Sequence, residues 1–375
     1  MKSVVEHLSD LVRIPSVSRL SNRPIIDYVR GALQPAGWKF RELIYRDTCD
    51  IEKVNLIAAP PGANIEDIAV DVAFVCHTDT VPFASSWSYA TDPFVNDGYL
   101  HGCGACDVKG FLACAITAAL APASQPVARG FRLVLTADEE IGCIGTSHLM
   151  DANCIRPRKA VIGEPTSLHP ARAGKGYFLA EITISGKEAH SAHPQQGASA
   201  IYAATELIAE IRGIAKSLES DRNDFFSPGF ATINIGTIQG GTAKNIVAGQ
   251  CAFQLEWRPL PNQSTDIVIK RVREASALLQ RQWHGQISCH ISQTRSQPGF
   301  ETPADAELVR KLETMSGNTA IAIPFGSEAP HFAPVSEEVI VFGPGDMRTA
   351  HSERECVPIV DLLAAVNIMH QLMRD

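Results

Sequence analysis

Five short stretches of this 375-residue chain carry side chains that bind divalent cations. The first is Phe74-Val-Cys-His-Thr-Asp-Thr-Val-Pro82, where an apolar, β-branched run from Asp71 to Cys76 reads as a buried strand and ends on His77. A histidine at a strand end can aim one ring nitrogen into a cleft while a nearby carboxylate, here Asp79, fixes the other. The remaining four are Gly-Cys-Gly-Ala-Cys-Asp107-Val-Lys-Gly, Thr-Ala-Asp-Glu139-Glu140-Ile-Gly, Ile-Gly-Glu164-Pro-Thr and Ala-His351-Ser. Singly, each has an ordinary explanation: a satisfied histidine, an N-cap aspartate, a solvated glutamate at a turn. All are metal-ligand types placed at or soon after strand-like runs, or at the start of a helix. In open α/β sheets such positions converge on a cleft at the carboxyl ends of the strands.

Charge counting favours two cations over one. Asp107, Glu140 and Glu164 bring three negative charges, while His77 and His351 are neutral ligands. Two divalent ions and one bridging hydroxide balance that set; a single ion leaves a net negative cluster in a low-dielectric cleft. Imidazole and carboxylate without thiolate suit Zn²⁺, with Co²⁺ or Mn²⁺ as substitutes. Paired ions lie ~3.5–4 Å apart, a span that one carboxylate bridges.

The elements that must position these groups follow from hydrophobic periodicity. Helices are expected over Val4–Ile14, Ile25–Leu33, Lys109–Leu120 and Ile144–Met150, and strands over Lys39–Tyr45, Val54–Ala58, Ile68–Cys76, Phe131–Thr136 and Ala160–Gly163. That alternation implies an α/β fold, a mixed sheet covered by helices. The pattern changes near Lys175. Strand Tyr177–Ser185, helix Ala198–Ile214, strands Ala231–Ile238 and Ala248–Trp257, helix Thr265–Gln282 and strand Gln286–Gln293 give β-α-β-β-α-β, a complete ferredoxin-like α+β plan. Residues 177–293 are therefore expected as a domain inserted into a catalytic domain of residues 1–176 and 294–375. Helix Asp305–Met315, strand Val339–Phe342 and helix Pro358–Met373 close the chain.

Bulk composition bounds the function class. The chain is 45% hydrophobic and 20% charged, as expected of a globular protein of about two domains. Net charge is −8 with no basic arm, so neither nucleic acid nor an anionic membrane is an expected partner. No apolar run approaches the ~20 residues of a membrane span. The charged, periodic N-terminus reads as an amphipathic helix and not a signal peptide. Ten scattered cysteines read as reduced thiols of a cytoplasmic protein. Cys103-x-x-Cys106 has no second pair to complete a four-thiolate zinc site. Gly236-Thr-Ile-Gln-Gly-Gly-Thr-Ala-Lys-Asn245 fails the phosphate-loop spacing.

Taken in order along nearly the whole chain, these motifs resemble those of the dizinc amidohydrolase and exopeptidase family that includes acetylornithine deacetylases, succinyl-diaminopimelate desuccinylases, aminoacylases and glutamate carboxypeptidases. The resemblance implies that His77 and Glu164 complete one zinc site, Glu140 and His351 the other, and that Asp107 bridges both. It implies that Asp79 holds His77, that unligated Glu139 is the general base, and that the Asp107–Val108 peptide is cis. In Gly186-Lys-Glu-Ala-His190-Ser-Ala-His193-Pro it makes His190 the oxyanion donor, reaching into the site of a second subunit, so a homodimer is expected with the inserted domain as lid and dimerisation module. Asn245 matches the family's substrate-contacting asparagine, and Arg258, in Glu-Trp-Arg-Pro-Leu-Pro, its carboxylate clamp, a task suited to a planar guanidinium. Without the family, His190 is a plain turn residue and Arg258 a surface ion-pair partner. The Cys103/Cys106 pair departs from the family pattern and puts thiols near the cations.

The local matches Ile-Gly-Glu-Pro-Thr-Ser-Leu, Arg-Pro-Leu-Pro, Ser327-Glu328-Ala329-Pro330 and Phe-Gly-Pro-Gly resemble the acetylornithine deacetylase branch. They imply hydrolysis of N2-acetyl-L-ornithine, a step of arginine biosynthesis. Charge complementarity suggests Glu328 as the residue that selects a cationic substrate side chain. The alternatives are a desuccinylase, an aminoacylase, an acetylcitrulline deacetylase, or a metal-binding protein with a dead site.

Overall fold

In the computed structural model, which describes residues 2–375, the apolar runs of the N-terminal half become strands of a large mixed sheet. The chain divides into two units. The first extends to Arg172 and resumes over Glu301–Ile321 and Ser327–Asp375; the second is Ala173–Phe300 with Ala322–Gly326.

The sheet of the first unit contains β1 (Lys39–Arg46), β2 (Glu52–Ala59), β3 (Ala69–His77), β6 (Phe131–Thr136), β7 (Arg156–Gly163) and β15 (Glu338–Phe342), in the order β1-β2-β6-β3-β7-β15. The short strands β8 (Ala171–Gly174), β13 (Phe300–Glu301) and β14 (Ile321–Ile323) complete it. β1, β2 and β6 pair antiparallel, whereas β6, β3, β7 and β15 are mutually parallel. Parallel strands are covered on both faces and must be apolar nearly throughout. Accordingly all six residues of β6 and the last five of β3 are buried.

The helices are α1 (Val4–Val12), α2 (Arg23–Leu33), α3 (Lys109–Leu120), α4 (Ile144–Asp151), α7 (Glu307–Ser316), α8 (Ala329–Phe332) and α9 (Ile359–Leu372). Ser3 and Glu6 form a reciprocal capping box that starts α1. α3 packs against α1 and α9 and is buried continuously from Lys109 to Ile116, as its small apolar composition requires. Phe111 of α3 meets Phe74 edge-on at 5.9 Å, and Phe74 meets Phe131 at 5.0 Å. Burying each ring contributes about 2 kcal/mol. α3 is thereby fixed against the sheet, and with it the loop carrying Asp107.

The second unit contains β9 (Tyr177–Ser185), α5 (Ala200–Leu218), β10 (Thr232–Gly240), β11 (Gln250–Arg258), α6 (Ile267–Gln282) and β12 (Ser288–Gln297). Its antiparallel sheet has the ferredoxin-like order β10-β11-β9-β12. Alternate residues of β9 (Phe178, Ala180, Ile182, Ile184) and β11 (Cys251, Phe253, Leu255, Trp257) share one core with Leu207 and Ile211 of α5 and Val272 of α6.

A third, small sheet of β4 (Phe94–Asn96), β5 (Tyr99–His101) and β16 (Cys356–Pro358) has no counterpart in the sequence expectations. Three residues carry no measurable periodicity, and the pairing of β5 with β16 joins segments far apart in the chain. The four-residue α8 went unread for the same reason.

Candidate metal centre

The carboxyl edge of the four parallel strands collects the ligand-type side chains. His77 is the last residue of β3, Glu139 and Glu140 stand on the turn after β6, Glu164 directly follows β7, and His351 lies on the loop after β15. Asp107 sits in the loop that opens α3, and the Asp107–Val108 peptide is cis. Gly163 lets β7 lie directly on α3 just before Glu164: a Cβ there would come 2.6 Å from the Phe111 ring.

Two clusters result, sharing one residue. His77, Asp107 and Glu164 present ligand atoms within 4.8 Å of one another, and so do Asp107, Glu140 and His351. One oxygen of Asp107 is 3.1 Å from His77 Nε2; the other is 3.1 Å from His351 Nε2. His351 Nε2 also lies 3.2 Å from the Glu140 carboxylate. His77 Nδ1 donates to the backbone carbonyl of Asp79 at 3.1 Å. A carbonyl can only accept, so that bond keeps the proton on Nδ1 and points Nε2 at the cleft.

The Asp79 carboxylate has a different task from the one expected of it. It lies 3.8 Å from His77 Nδ1 and instead accepts from the backbone N–H groups of Glu139 (3.0 Å) and Glu140 (3.2 Å) and from Ser18 Oγ (2.7 Å). It therefore holds the turn that carries Glu139 and Glu140. Glu139 belongs to neither ligand cluster; its Oε1 accepts from the Cys143 thiol at 3.3 Å.

The electrostatics ask for cations. Burial, and then the Asp107 charge, raise Glu164 well above the usual carboxylate range. Burial pushes Glu139 up to about 8, with Glu140, Glu328 and Asp79 adding repulsion against the pull of His77. Burial also raises Glu140. At His77, burial opposes the charged ring, but Asp107 outweighs it and holds the pKa well above normal. Hydrogen bonds to Asp107 and Glu140 raise His351 to about 10. Carboxylates crowded together with imidazoles as their nearest cationic partners fit divalent metal ions, which supply the missing positive charge. Because cations displace protons from these raised groups, metal binding should release protons and strengthen as pH rises through the neutral range. Calorimetric titrations in buffers of different ionisation enthalpy check this; affinity independent of both pH and buffer would contradict it.

Two residues that sequence reasoning missed shape the same loops. Glu355 is buried, and its Oε1 accepts from the backbone N–H groups of Cys106 and Asp107, both at 3.1 Å. The only signal for it is its position four residues after His351, which marks nothing without the fold. The other is Lys53, buried on β2, whose ammonium donates to Asp138 beside Glu139. Cys103 and Cys106 are buried free thiols and belong to neither cluster. Burial raises both, Cys103 to about 11, so they stand as neutral thiols.

The expectation for Glu328 is corrected. It is 0% exposed, with Thr146 Oγ1 donating to its Oε1. Burial raises its pKa against the lowering effect of His77 and of the Thr136 and Thr146 hydroxyls. A carboxyl enclosed in this way presents no charge on a solvent-facing wall for a cationic side chain. The expectation rested on charge complementarity alone, and residue type carries no information on burial.

The other three positions lie in the second unit. His190 and Asn245 are exposed and adjacent: Ser191 N–H donates to the Asn245 carbonyl at 2.9 Å, and His190 Nδ1 accepts from Ala192 N–H at 3.1 Å. Arg258 stacks over Tyr177 at 4.3 Å and donates to Glu256 and to the Pro324 carbonyl, both at 2.8 Å. Arg258 also lines a pocket with Lys175 and Thr232.

Fold and site together define a metal-dependent hydrolase of amide bonds. Residues 73–375 match the model of peptidase family M20/M25/M40, and the chain belongs to this family. It is similar to the acetylornithine deacetylase of Myxococcus xanthus, 42% identical over 357 residues that cover 95% of this chain and 93% of that protein. It is 31% identical to the acetylornithine deacetylase of Photorhabdus laumondii subsp. laumondii, covering 98% of this chain and 96% of the relative. Among solved structures, aminopeptidase PepT from Bacillus cereus superposes with a TM-score of 0.76 at 21% identity, over 98% of this chain and 96% of that one. The YXEP protein of Bacillus subtilis, a dinuclear metal-binding peptidase of the M20 family, gives 0.69 at 15% identity, over 99% and 96%. Among the described residues, no helix is long and apolar enough to cross a membrane.

Proposed function

We propose that this protein hydrolyses N2-acetyl-L-ornithine to L-ornithine and acetate, with two Zn²⁺ ions per subunit that Co²⁺ or Mn²⁺ can replace. The observation that carries the substrate is full-length similarity to proteins named acetylornithine deacetylase. The chemistry rests on two ligand clusters that share Asp107 and on one adjacent carboxylate, Glu139, outside both.

In this reading His77 and Glu164 would hold one cation and Glu140 and His351 the other, with Asp107 shared between the two clusters. Cations held there would supply Lewis acidity, polarising the amide carbonyl and lowering the pKa of water towards ~7. Glu139 accepts the proton of the attacking water and delivers it to the departing ornithine nitrogen, since an unprotonated amine leaves poorly. The C–N bond breaks, and the water oxygen ends in acetate. A carboxyl with a raised pKa, in a site that cations would pull back towards neutrality, is poised to take a proton and return it. His190 donates to the developing oxyanion. Asn245 and Arg258 bind the substrate, Arg258 through its carboxylate. The second unit serves as lid and dimerisation module, with His190 acting in the site of the neighbouring subunit of a homodimer. Ten free cysteines support a cytoplasmic location.

A substrate panel tests the assignment: acetylornithine, succinyl-diaminopimelate, acetylmethionine and acetylcitrulline, each with added Zn²⁺ or Co²⁺. The highest kcat/KM is expected for acetylornithine. A higher value for any other member would reassign the substrate. Loss of activity on the whole panel with two metals bound would leave a dead metal-binding protein.

A further inference from the structure

The turn that carries Glu139 and Glu140 is anchored from two sides. On one side, Asp79 accepts from both backbone N–H groups. On the other stands Asp138, the residue before Glu139. Asp138 is fully buried and left-handed, with φ 57, a conformation that costs a non-glycine residue about 1 kcal/mol or more and persists only where its surroundings enforce it. What enforces it is Lys53 on β2. Lys53 is 1% exposed, and its ammonium donates to Asp138 Oδ1 at 2.7 Å, to the Leu20 carbonyl at 2.9 Å and to the Ser18 carbonyl. All three N–H donors are thereby used. The second oxygen of Asp138 accepts from Tyr45 OH at 2.8 Å. Ser18 closes the frame: its carbonyl accepts from Lys53, and its hydroxyl donates to Asp79. A buried lysine–aspartate pair is poor evidence for stability, because desolvating both charges offsets most of their attraction. Its value lies in geometry: charged hydrogen bonds of fixed direction pin a backbone turn more tightly than apolar packing does.

We infer that Lys53, acting through Asp138, is a positioning residue that sets where the Glu139 carboxylate stands relative to the metal clusters. The inference rests on the reading of Glu139 as general base. Lys53 belongs to neither ligand cluster, and its ammonium is spent on Asp138 and two backbone carbonyls. It determines whether Glu139 meets the attacking water at the right distance, and a displacement near 1 Å from a remote change can cost about 100-fold in rate. An interaction that matters only in the transition state lowers kcat and leaves KM unchanged.

The experiment compares Glu139→Gln, Tyr45→Phe, Lys53→Arg, Lys53→Met and the double variant Lys53→Met/Asp138→Asn, with metal content, thermal melting, kcat and KM measured for each. Lys53→Met alone buries an uncompensated carboxylate and is expected to melt early. The double variant removes both charges and is expected to recover the melting temperature and bind two metals. Its kcat should remain about 10- to 100-fold low with KM within about twofold. Tyr45→Phe, which keeps the ion pair but leaves Asp138 Oδ2 without its donor, should melt only slightly lower and lose about threefold in kcat alone. Lys53→Arg should retain more activity than Lys53→Met. If Glu139→Gln is inactive while both Tyr45→Phe and the double variant keep wild-type kcat, the inference is overturned and the base assignment stands. Parallel changes in kcat and KM would likewise overturn it, by making the network part of substrate binding. If Glu139→Gln remains active, the base reading itself fails.

Discussion

Glu139→Gln is expected to lower kcat by about 10³-fold while two metal ions remain bound, because general acid–base catalysis contributes about 10²–10⁴-fold. The substitution preserves the shape of the side chain, and its amide oxygen can still accept from Cys143. Glu139 belongs to neither ligand cluster, so metal content should be unaffected. In the proposed mechanism, what is lost is an acceptor for the water proton and, later in the cycle, a donor to the leaving nitrogen. KM should change little, since a general base as proposed makes its decisive interaction at the transition state. Steady-state kinetics together with elemental analysis of the same preparation check this. Hydrolysis retained within about tenfold of wild type would remove Glu139 from the role, and so would a loss of rate that tracks a loss of metal.

Asp107→Ala should have the other large effect, abolishing activity and metal-dependent stabilisation together. Asp107 contributes one oxygen to each cluster, and its two oxygens lie 3.1 Å from His77 Nε2 and His351 Nε2. Without it, each cluster keeps only two side chains. A ligand present at 1,000 times its Kd stabilises the folded state by about 4 kcal/mol, and that contribution disappears when binding does. The wild-type protein should melt several degrees higher with added Zn²⁺ than after chelation; the variant should melt at one temperature in both conditions. A variant that binds two ions per chain, or whose melting still responds to Zn²⁺, would show that the clusters do not share this residue.

The residues themselves explain which parts of this arrangement were legible. His77, Asp107, Glu140, Glu164 and His351 stand out because the local pattern around each places it at a strand end or helix start. The parallel strands β3, β6, β7 and β15 end in the apolar runs that a sheet covered on both faces demands, and β9 and β11 alternate as half-buried strands do. Glu328 misled because charge complementarity was argued from residue type, and type carries no burial. Asp79 misled more subtly. The expectation gave its carboxylate to His77, whereas the backbone carbonyl makes that bond and the carboxylate holds the turn of Glu139 and Glu140. Glu355 and Lys53 were invisible because each acts through atoms distant in sequence: Glu355 binds backbone N–H groups 248 and 249 residues away, and Lys53 binds Asp138, 85 residues away.

The sequence by itself determined the α/β class, the ferredoxin-like plan of the second unit and the chemical type of the site, because periodicity and ligand identity are local properties of a chain. Tertiary structure alone decided which carboxyl groups are enclosed and which hold other residues in place. Those distinctions depend on desolvation and on the direction of hydrogen bonds, and both arise only when distant segments pack against one another.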